Sequence, residues 1–385
     1  MKQCVAFAPG RTELAGNHVD HQDGVVLTAT LSLGISAQAQ TNDSSVIRVT
    51  SEGFAPVEIH LDQADWTRPR PEEFNTTAGL VRGVAAELAY AGLPVGGFDV
   101  QAFSTLPAGG GLSSSAAFEL LMAVVAQRLF GPERPLLKPL ELAQLAHRVE
   151  GDYFGKKTGC MDQTAIAFGG ICQIDFGTQP VEVCRLEADL EACGYRMCLV
   201  DIGIDHSANV EQFSAIPQDM WAVAKLLGVR TLRQTSLEDV LANAQEIRQQ
   251  LGDVAFMRAL HYFREVESVR GRACALRNGD MAQFCRLTAL SGASSAQYLQ
   301  NVTSFGTDQP AMVALSLVDC ALDEAARDTG TPRGVCRIHG GGFGGTLQLF
   351  ALQEQIPLLV RRLDALLHPG AVLALDLTQE GAWAR

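Results

Sequence analysis

The residues best suited to chemistry crowd into one stretch, Leu106–Ala117, which reads LPAGGGLSSSAA. Gly109, Gly110 and Gly111 let the backbone approach a ligand closely, and a helix starting just after them points unpaired N–H groups at an anion. Ser113, Ser114 and Ser115 add hydroxyls that either cap that helix or reach a phosphate-bound metal. Together they read as a phosphate cradle, although three glycines before a helix also read as a tight turn. Two familiar nucleotide fingerprints are excluded: there is no GxxxxGK[ST], and no GxGxxG opens a first βαβ unit. Two further segments are polar and glycine-rich, Pro9–Gly24 (PGRTELAGNHVDHQDG) and His339–Gly345 (HGGGFGG). Between them lie Glu150 and the run Gly159–Gln163, GCMDQ.

These groups need elements to hold them. Phe98, Val100 and Ala102 at period two predict a strand over Phe98–Ser104 leading into the central loop. Ala117, Leu120, Leu121, Val124 and Val125 predict about four turns of helix leaving it. Upstream, Met1–Ala8 and Val25–Ala39 read as strands, and Ser45–Leu61 as strands broken at Gly53 and Pro56. Trp66–Phe74 reads as a proline-rich loop and Asn75–Tyr90 as a helix. Downstream, Glu141–Phe154 is a helix whose stripe is Leu142, Leu145, Ala146, Val149 and Tyr153. Glu150 lies about 40° from that stripe and so borders the buried face, where a carboxylate is salt-bridged or ligates a metal. A new strand at Met197–Ile202 opens the second half. Helices are predicted at Pro217–Leu227, Leu237–Gln249, Ala259–Asn278, Met281–Thr288 and Pro310–Ala326. A strand, glycine-rich turn, strand, helix and strand follow over Val335–Leu377. The division expected is two domains, residues 1–193 and 194–385.

Composition sets bounds on function. A chain of 385 residues exceeds what one core usually serves, which favours two domains. A net charge of −13 argues against a nucleic-acid or anionic-membrane surface. No signal peptide and no apolar run of membrane-spanning length is visible, which points to a cytoplasmic protein. The ten cysteines form no CxxC pair and none joins a histidine at zinc spacing, so no structural metal is expected. Most of them read as small buried hydrophobes in a reducing compartment.

The three motifs, in this order, resemble the galactokinase branch of the GHMP small-molecule kinases, from about Ala6 to Gly345. The family pattern PGRxNLIGEHTDYxxG is met by PGRTELAGNHVDHQDG, PxGxGLSSSAS by PAGGGLSSSAA, GxMDQ by GCMDQ and TGGGFGG by HGGGFGG. The resemblance implies a mixed α/β (α+β) fold in two domains. The N-terminal one would be like ribosomal S5 domain 2 and the C-terminal one ferredoxin-like, with the nucleotide between them.

The resemblance also implies roles. Asp162 matches the carboxylate held against the sugar's anomeric hydroxyl, and Arg11 the arginine beside it near the γ-phosphate. Glu150 and a loop serine, Ser114 or Ser115, match the Mg²⁺ ligands; Ser115 is the one assigned. Gly109, Gly110, Gly111, Leu112, Ser113, Ser114 and Ser115 would wrap the triphosphate of ATP, with Gly341 and Gly342 closing over the site. Asn17, His18, Asp20, Gly159 and Phe213 fall at the sugar. Outside such motifs Asp162 and Glu150 would read as ion-pair members, Arg11 as a surface charge, and Lys156-Lys157 as solvated loop.

Departures from the family gather at the sugar. Asn17 stands where glutamate is usual and His21 where tyrosine is. In HSANVEQF, Phe213 stands at an expected sugar-contacting tyrosine. His339 replaces a small hydroxyl residue and has no account in the sequence. Losing a buried polar contact costs about 1–3 kcal/mol, enough to change which sugar wins. The expectation is an ATP- and Mg²⁺-dependent sugar 1-kinase, a monomer or small homo-oligomer, with galactose the leading substrate. The alternatives are galacturonate, L-arabinose or N-acetylgalactosamine, or a non-catalytic sugar- and ATP-binding regulator. Whether Asp162 acts as base or as orienting group stays open at this level.

Overall fold

The computed structural model describes residues 1–107, 110–132, 137–156, 159–203, 210–302 and 308–385. The first half comprises β1 (Gln3–Ala15), β2 (Val25–Thr41), β3 (Val46–Ser51), β4 (Val57–His60), α1 (Thr77–Tyr90), β5 (Phe98–Ser104) and α2 (Ser114–Phe130). It continues with α3 (Pro139–Asp152), α4 (Met161–Phe168), β6 (Ile171–Asp175) and β7 (Glu182–Leu186). The second half contains β8 (Tyr195–Asp201), α5 (Val210–Leu226), α6 (Leu237–Ala242), α7 (Ala244–Leu251), α8 (Asp253–Arg277), α9 (Met281–Ser294) and α10 (Pro310–Thr329). It ends with β9 (Val335–Ile338), β10 (Thr346–Leu352), α11 (Ile356–Leu366), β11 (Val372–Leu375), β12 (Leu377–Thr378) and β13 (Trp383–Ala384).

The strands form two sheets. The first has nine strands in the order β13-β1-β2-β5-β3-β4, with β6, β7 and β12 attached alongside through β2. Its spine is β2, whose Val25–Ala29 pairs with β6 while Ile35–Thr41 pairs with β5. The second sheet is antiparallel in the order β11-β8-β10-β9, so its strands in chain order lie 4-1-3-2. That is the ferredoxin-like arrangement. The chain's last strands, β12 and β13, return to the first sheet on β2 and β1.

The predicted apolar stripe of α2 is fully buried, as are Leu80, Val84 and Leu88 of α1 and the inward residues Ala6, Ala8, Ile35, Ala37, Val100 and Ala102. Helices α1 to α3 therefore bury their apolar faces on one side of the first sheet, which fixes where α2 begins.

Several elements differ from the expectation. β1 does not stop at Ala8 but runs to Ala15, because Arg11, Thr12 and Glu13 continue the ladder with Thr30, Ala29 and Thr28 of β2. A register shift between Pro9 and Arg11 marks a bulge, where proline has no N–H to donate. The GCMDQ run opens a short helix, α4, that the motif reading did not predict. The helix expected at Leu237–Gln249 breaks at Asn243, which caps both α6 and α7. α5 starts upstream of Pro217 and carries that proline inside it, placing Phe213 near its first turn. The expectation that most cysteines are buried is also corrected. Cys4, Cys172 and Cys198 are buried, whereas Cys184, Cys193, Cys274 and Cys320 are exposed, at an edge strand, a loop and outward helix faces.

Candidate active site

Arg11 and Asp162 meet across the first half of the chain. Arg11 Nε and Nη2 each donate to a different Asp162 carboxylate oxygen at 2.7 Å, a two-pronged pair that fixes both planes. Arg11 Nη1 donates to the Gly111 carbonyl at 2.8 Å and its backbone N–H to the Leu112 carbonyl at 3.2 Å. The arginine thus ties β1, the glycine loop and α4 together. Burial pushes the Asp162 carboxyl up, but the Arg11 charge and hydrogen bonds, with that of Ser113, outweigh it and hold it below the usual range.

Ser113 occupies the N-cap position of α2 with φ 59°, a left-handed conformation uncommon for serine. Its hydroxyl does not cap the helix; it donates to Asp162 instead. The first N–H groups of a 17-residue helix are left for an anion, with the macrodipole behind them. A cleft of about 250 Å³ opens there, lined by Arg11, Gly110, Gly111, Ser115, Lys156 and Asp162. Ser114 is exposed at the helix start and Leu112 is buried beneath the loop. Gly109 lies outside the described residues.

Glu150 is 1% exposed, deeper than the border position expected from its helix. Its Oε1 accepts from Ser115 Oγ at 3.2 Å and from Lys156 Nζ at 3.2 Å, and its Oε2 from Gln163 Nε2 at 2.9 Å. Gln163 also donates to Glu119 at 3.3 Å; burial, then the Glu150 charge, holds the Glu119 carboxyl well above its ordinary value. A hydroxyl and a carboxylate converging within hydrogen-bond distance are hard oxygen donors of the kind Mg²⁺ takes. Ser115 and Glu150 therefore fit such an ion.

The segment after β1 forms a second group. His18 has φ 56° and its Nε2 lies 3.0 Å from the Gly341 carbonyl. A carbonyl only accepts, so Nε2 carries the proton and Nδ1 is left as an acceptor. Burial pushes the His18 imidazole down to about 4 and that of His21 to about 3, so both are neutral near pH 7. The Phe213 ring lies tilted against His18 with centroids 5.1 Å apart. A Cβ on Gly341 would run into the Phe213 ring, and one on Gly342 into Asn301. Gly341 and Gly342 thus meet the His18 segment and Asn301, rather than the serine end of the phosphate loop. Gly159 touches Asp20 so closely that a Cβ there would strike the carboxylate. Burial first, then the Asp162 charge, pushes the Asp20 carboxyl up to about 6. Asn17, 1% exposed, donates through Nδ2 to Ser295 Oγ at 3.3 Å. Lys157 and His206–Asn209, of the HSANVEQF segment, fall outside the described residues.

Sequence reasoning missed what grips this segment from behind. Arg258, His261, Glu265, Ser268 and Arg272 recur at helical spacing along α8, and all are buried. Arg272 donates to the Leu14 carbonyl at 3.0 Å, Glu265 accepts from Gly16 N–H at 3.0 Å, and His261 Nε2 lies 3.0 Å from the Asn17 carbonyl. A search for apolar periodicity passes over such a stripe; polar residues at the same period were its signal. Likewise Glu13, which stands where the family pattern has asparagine, pairs with fully buried Arg337 at 2.6 Å.

Residues 79–170 match the GHMP kinases N terminal domain, and residues 1–41 the galactokinase galactose-binding signature. The chain is 30% identical to a galactokinase of Streptomyces coelicolor over 88% of its own length and 82% of that protein. It is 31% identical to one of Lacticaseibacillus paracasei, covering 88% and 83%. The fold superposes on Lactococcus lactis galactokinase complexed with galactose with TM-score 0.81 at 24% identity, over 99% and 95% of the chains. Methanococcus jannaschii mevalonate kinase gives TM-score 0.63 at 14% identity, over 98% and 99%. The mixed α/β fold is that of the GHMP kinases, and the chain belongs to the galactokinase family.

Proposed function

We propose that this chain transfers the γ-phosphoryl group of ATP to the anomeric hydroxyl of D-galactose. The observation that carries the reading is the Arg11–Asp162 pair, tied through Ser113 to the uncapped N-terminus of α2. Phosphoryl transfer needs in-line placement and charge neutralisation more than covalent chemistry. In this reading Gly109–Ser115 and the α2 N–H groups hold the triphosphate, and Arg11 faces the transferring group. Mg²⁺, held by Ser115 and Glu150, would supply positive charge to the phosphate oxygens. Asn17, His18, Asp20, Gly159 and Phe213 hold the sugar, with Gly341 and Gly342 closing from the second sheet.

The carboxylate geometry favours an orienting role for Asp162. Both its oxygens are already committed to Arg11, and a carboxylate held below its usual range is a weak base. It aligns the anomeric hydroxyl while Arg11 stabilises the charge that develops on oxygen. Galactose is favoured over a uronate. Among the described residues Lys156 is engaged with Glu150 and the Asn17 amide carries no charge, so neither offers a counter-charge to a C6 carboxylate.

The two-domain division at about residue 193, with the last strands returning to the first sheet, belongs to the same proposal. So does a cytoplasmic monomer or small homo-oligomer without nucleic-acid or membrane partners. Ten free cysteines suit a reducing compartment, and among the described residues no helix is long and apolar enough to cross a membrane. Turnover with MgATP across galactose, galacturonate, L-arabinose and N-acetylgalactosamine tests the reading. Galactose should give the highest kcat/KM. Nucleotide binding with no turnover of any sugar would overturn it.

A further inference from the structure

His339 is the residue for which the sequence offers no account, and its surroundings are specific. It follows β9 directly, is buried, and holds a threonine hydroxyl at each ring nitrogen. Nε2 lies 3.1 Å from Thr12 Oγ1 on β1, and Nδ1 lies 3.0 Å from Thr346 Oγ1 at the start of β10. One contact crosses between the two sheets; the other stays within the second.

The crossing contact lands beside the reaction centre. Thr12 is the next residue after Arg11. The imidazole edge also faces the phosphate loop, since Cε1 and Nδ1 would each lie 3.7 Å from a Cβ on Gly111. Gly111 is the residue whose carbonyl accepts from Arg11 Nη1 at 2.8 Å. One ring thus stands against both the strand neighbour of Arg11 and the loop that receives its guanidinium. A small hydroxyl side chain, as in the family motif, has one polar atom where imidazole has two on opposite edges.

We propose that His339 is a positioning residue for phosphoryl transfer, holding β1 to the second sheet so that Arg11 stays in register with the phosphate loop. The role in transfer rests on the kinase reading above; the tie itself does not. Loss of the tie leaves the fold in place, because the Glu13–Arg337 pair still joins β1 to β9 and the ladder with β2 still holds β1 within the first sheet. His339 then acts on rate more than on folding.

Two substitutions separate the two contacts. Glutamine places an amide nitrogen near the position of Nε2 and keeps the bridge to Thr12. Asparagine reaches only to the position of Nδ1 and keeps the local bridge to Thr346. The experiment compares wild type, His339→Gln, His339→Asn, Thr12→Val and the double variant His339→Asn/Thr12→Val. Its readouts are kcat and KM, MgATP affinity by calorimetry, and hydrogen–deuterium exchange of the peptide containing Arg11–Leu14. His339→Gln should keep kcat within about threefold, while His339→Asn and Thr12→Val each lose about tenfold or more with MgATP affinity unchanged. The double variant should lose no more than either single one, and exchange should quicken in His339→Asn but not in His339→Gln. Equal kcat for the two His339 variants, or equal exchange, would overturn the proposal. Wild type inactive with every sugar would overturn the kinase reading and the role in transfer, while the exchange comparison still decides the tie.

Discussion

Replacing Asp20 with asparagine should make the protein more stable at pH 8 and a far poorer sugar kinase. The Asp20 carboxyl is pushed from its ordinary 3.8 up to about 6, by burial first and then by the Asp162 charge. The sign follows from linkage. A carboxyl whose folded pKa is raised binds more protons folded than unfolded between those two values. Its stability contribution is complete below the unfolded pKa and is lost as pH rises through the folded one. At about 1.4 kcal/mol per pH unit the full penalty at pH 8 approaches about 3 kcal/mol. Asp20 is only partly shielded from water, which reduces the expected gain of the asparagine variant to about 1–2 kcal/mol. Asparagine keeps an acceptor for the local backbone N–H groups without the charge. Urea unfolding of both proteins at pH 5 and pH 8 measures this directly. At pH 5, between the unfolded and folded pKa values, about half of the gap should already be present, and it should reach its full size at pH 8, while kcat/KM for the sugar falls by tenfold or more. A variant no more stable than wild type at pH 8, or a gap that does not grow with pH, would rule out a raised Asp20 pKa. Such a cost is tolerated where a charged acceptor serves the substrate.

Three other substitutions probe the site and its support. Asp162→Asn removes charge but little volume; fold and nucleotide affinity should persist while turnover falls by about a thousandfold, and a loss within twofold would remove Asp162 from the reaction. Glu150→Gln should raise the Mg²⁺ concentration needed for half-maximal turnover, with little change in sugar KM, as read from a Mg²⁺ titration. Arg272→Met strands the Glu265 carboxylate, which Arg272 contacts at 2.6 Å with both groups fully buried; urea unfolding should show a loss of about 3–5 kcal/mol, partly restored by adding Glu265→Gln.

What the sequence made legible is what depends on neighbours along the chain. The strand Phe98–Ser104 agrees with its prediction to the residue, and the α2 stripe Ala117, Leu120, Leu121, Val124 and Val125 is buried throughout. Glu150 beside an apolar stripe did turn inward, because its helix packs against α2. What stayed hidden depends on residues far apart in sequence. Thr12 and Glu13 look like loop polarity until His339 and Arg337 arrive beside them from the second sheet. The α8 stripe looks solvated by composition, yet it is buried because it hydrogen-bonds the backbone of Leu14–Asn17. Ser113 reads as a cap for α2, but its left-handed backbone turns the hydroxyl to Asp162. Local pattern finds apolar faces; it does not find polar groups whose partners are distant.

In the proposed reaction this site joins phosphate to the anomeric oxygen of galactose. Phosphorus-31 NMR of the wild-type protein with MgATP and galactose tests it most directly. One sugar phosphate should form per ADP, its phosphorus coupled to the anomeric proton. ADP with inorganic phosphate alone, or phosphate on any other carbon, would contradict it.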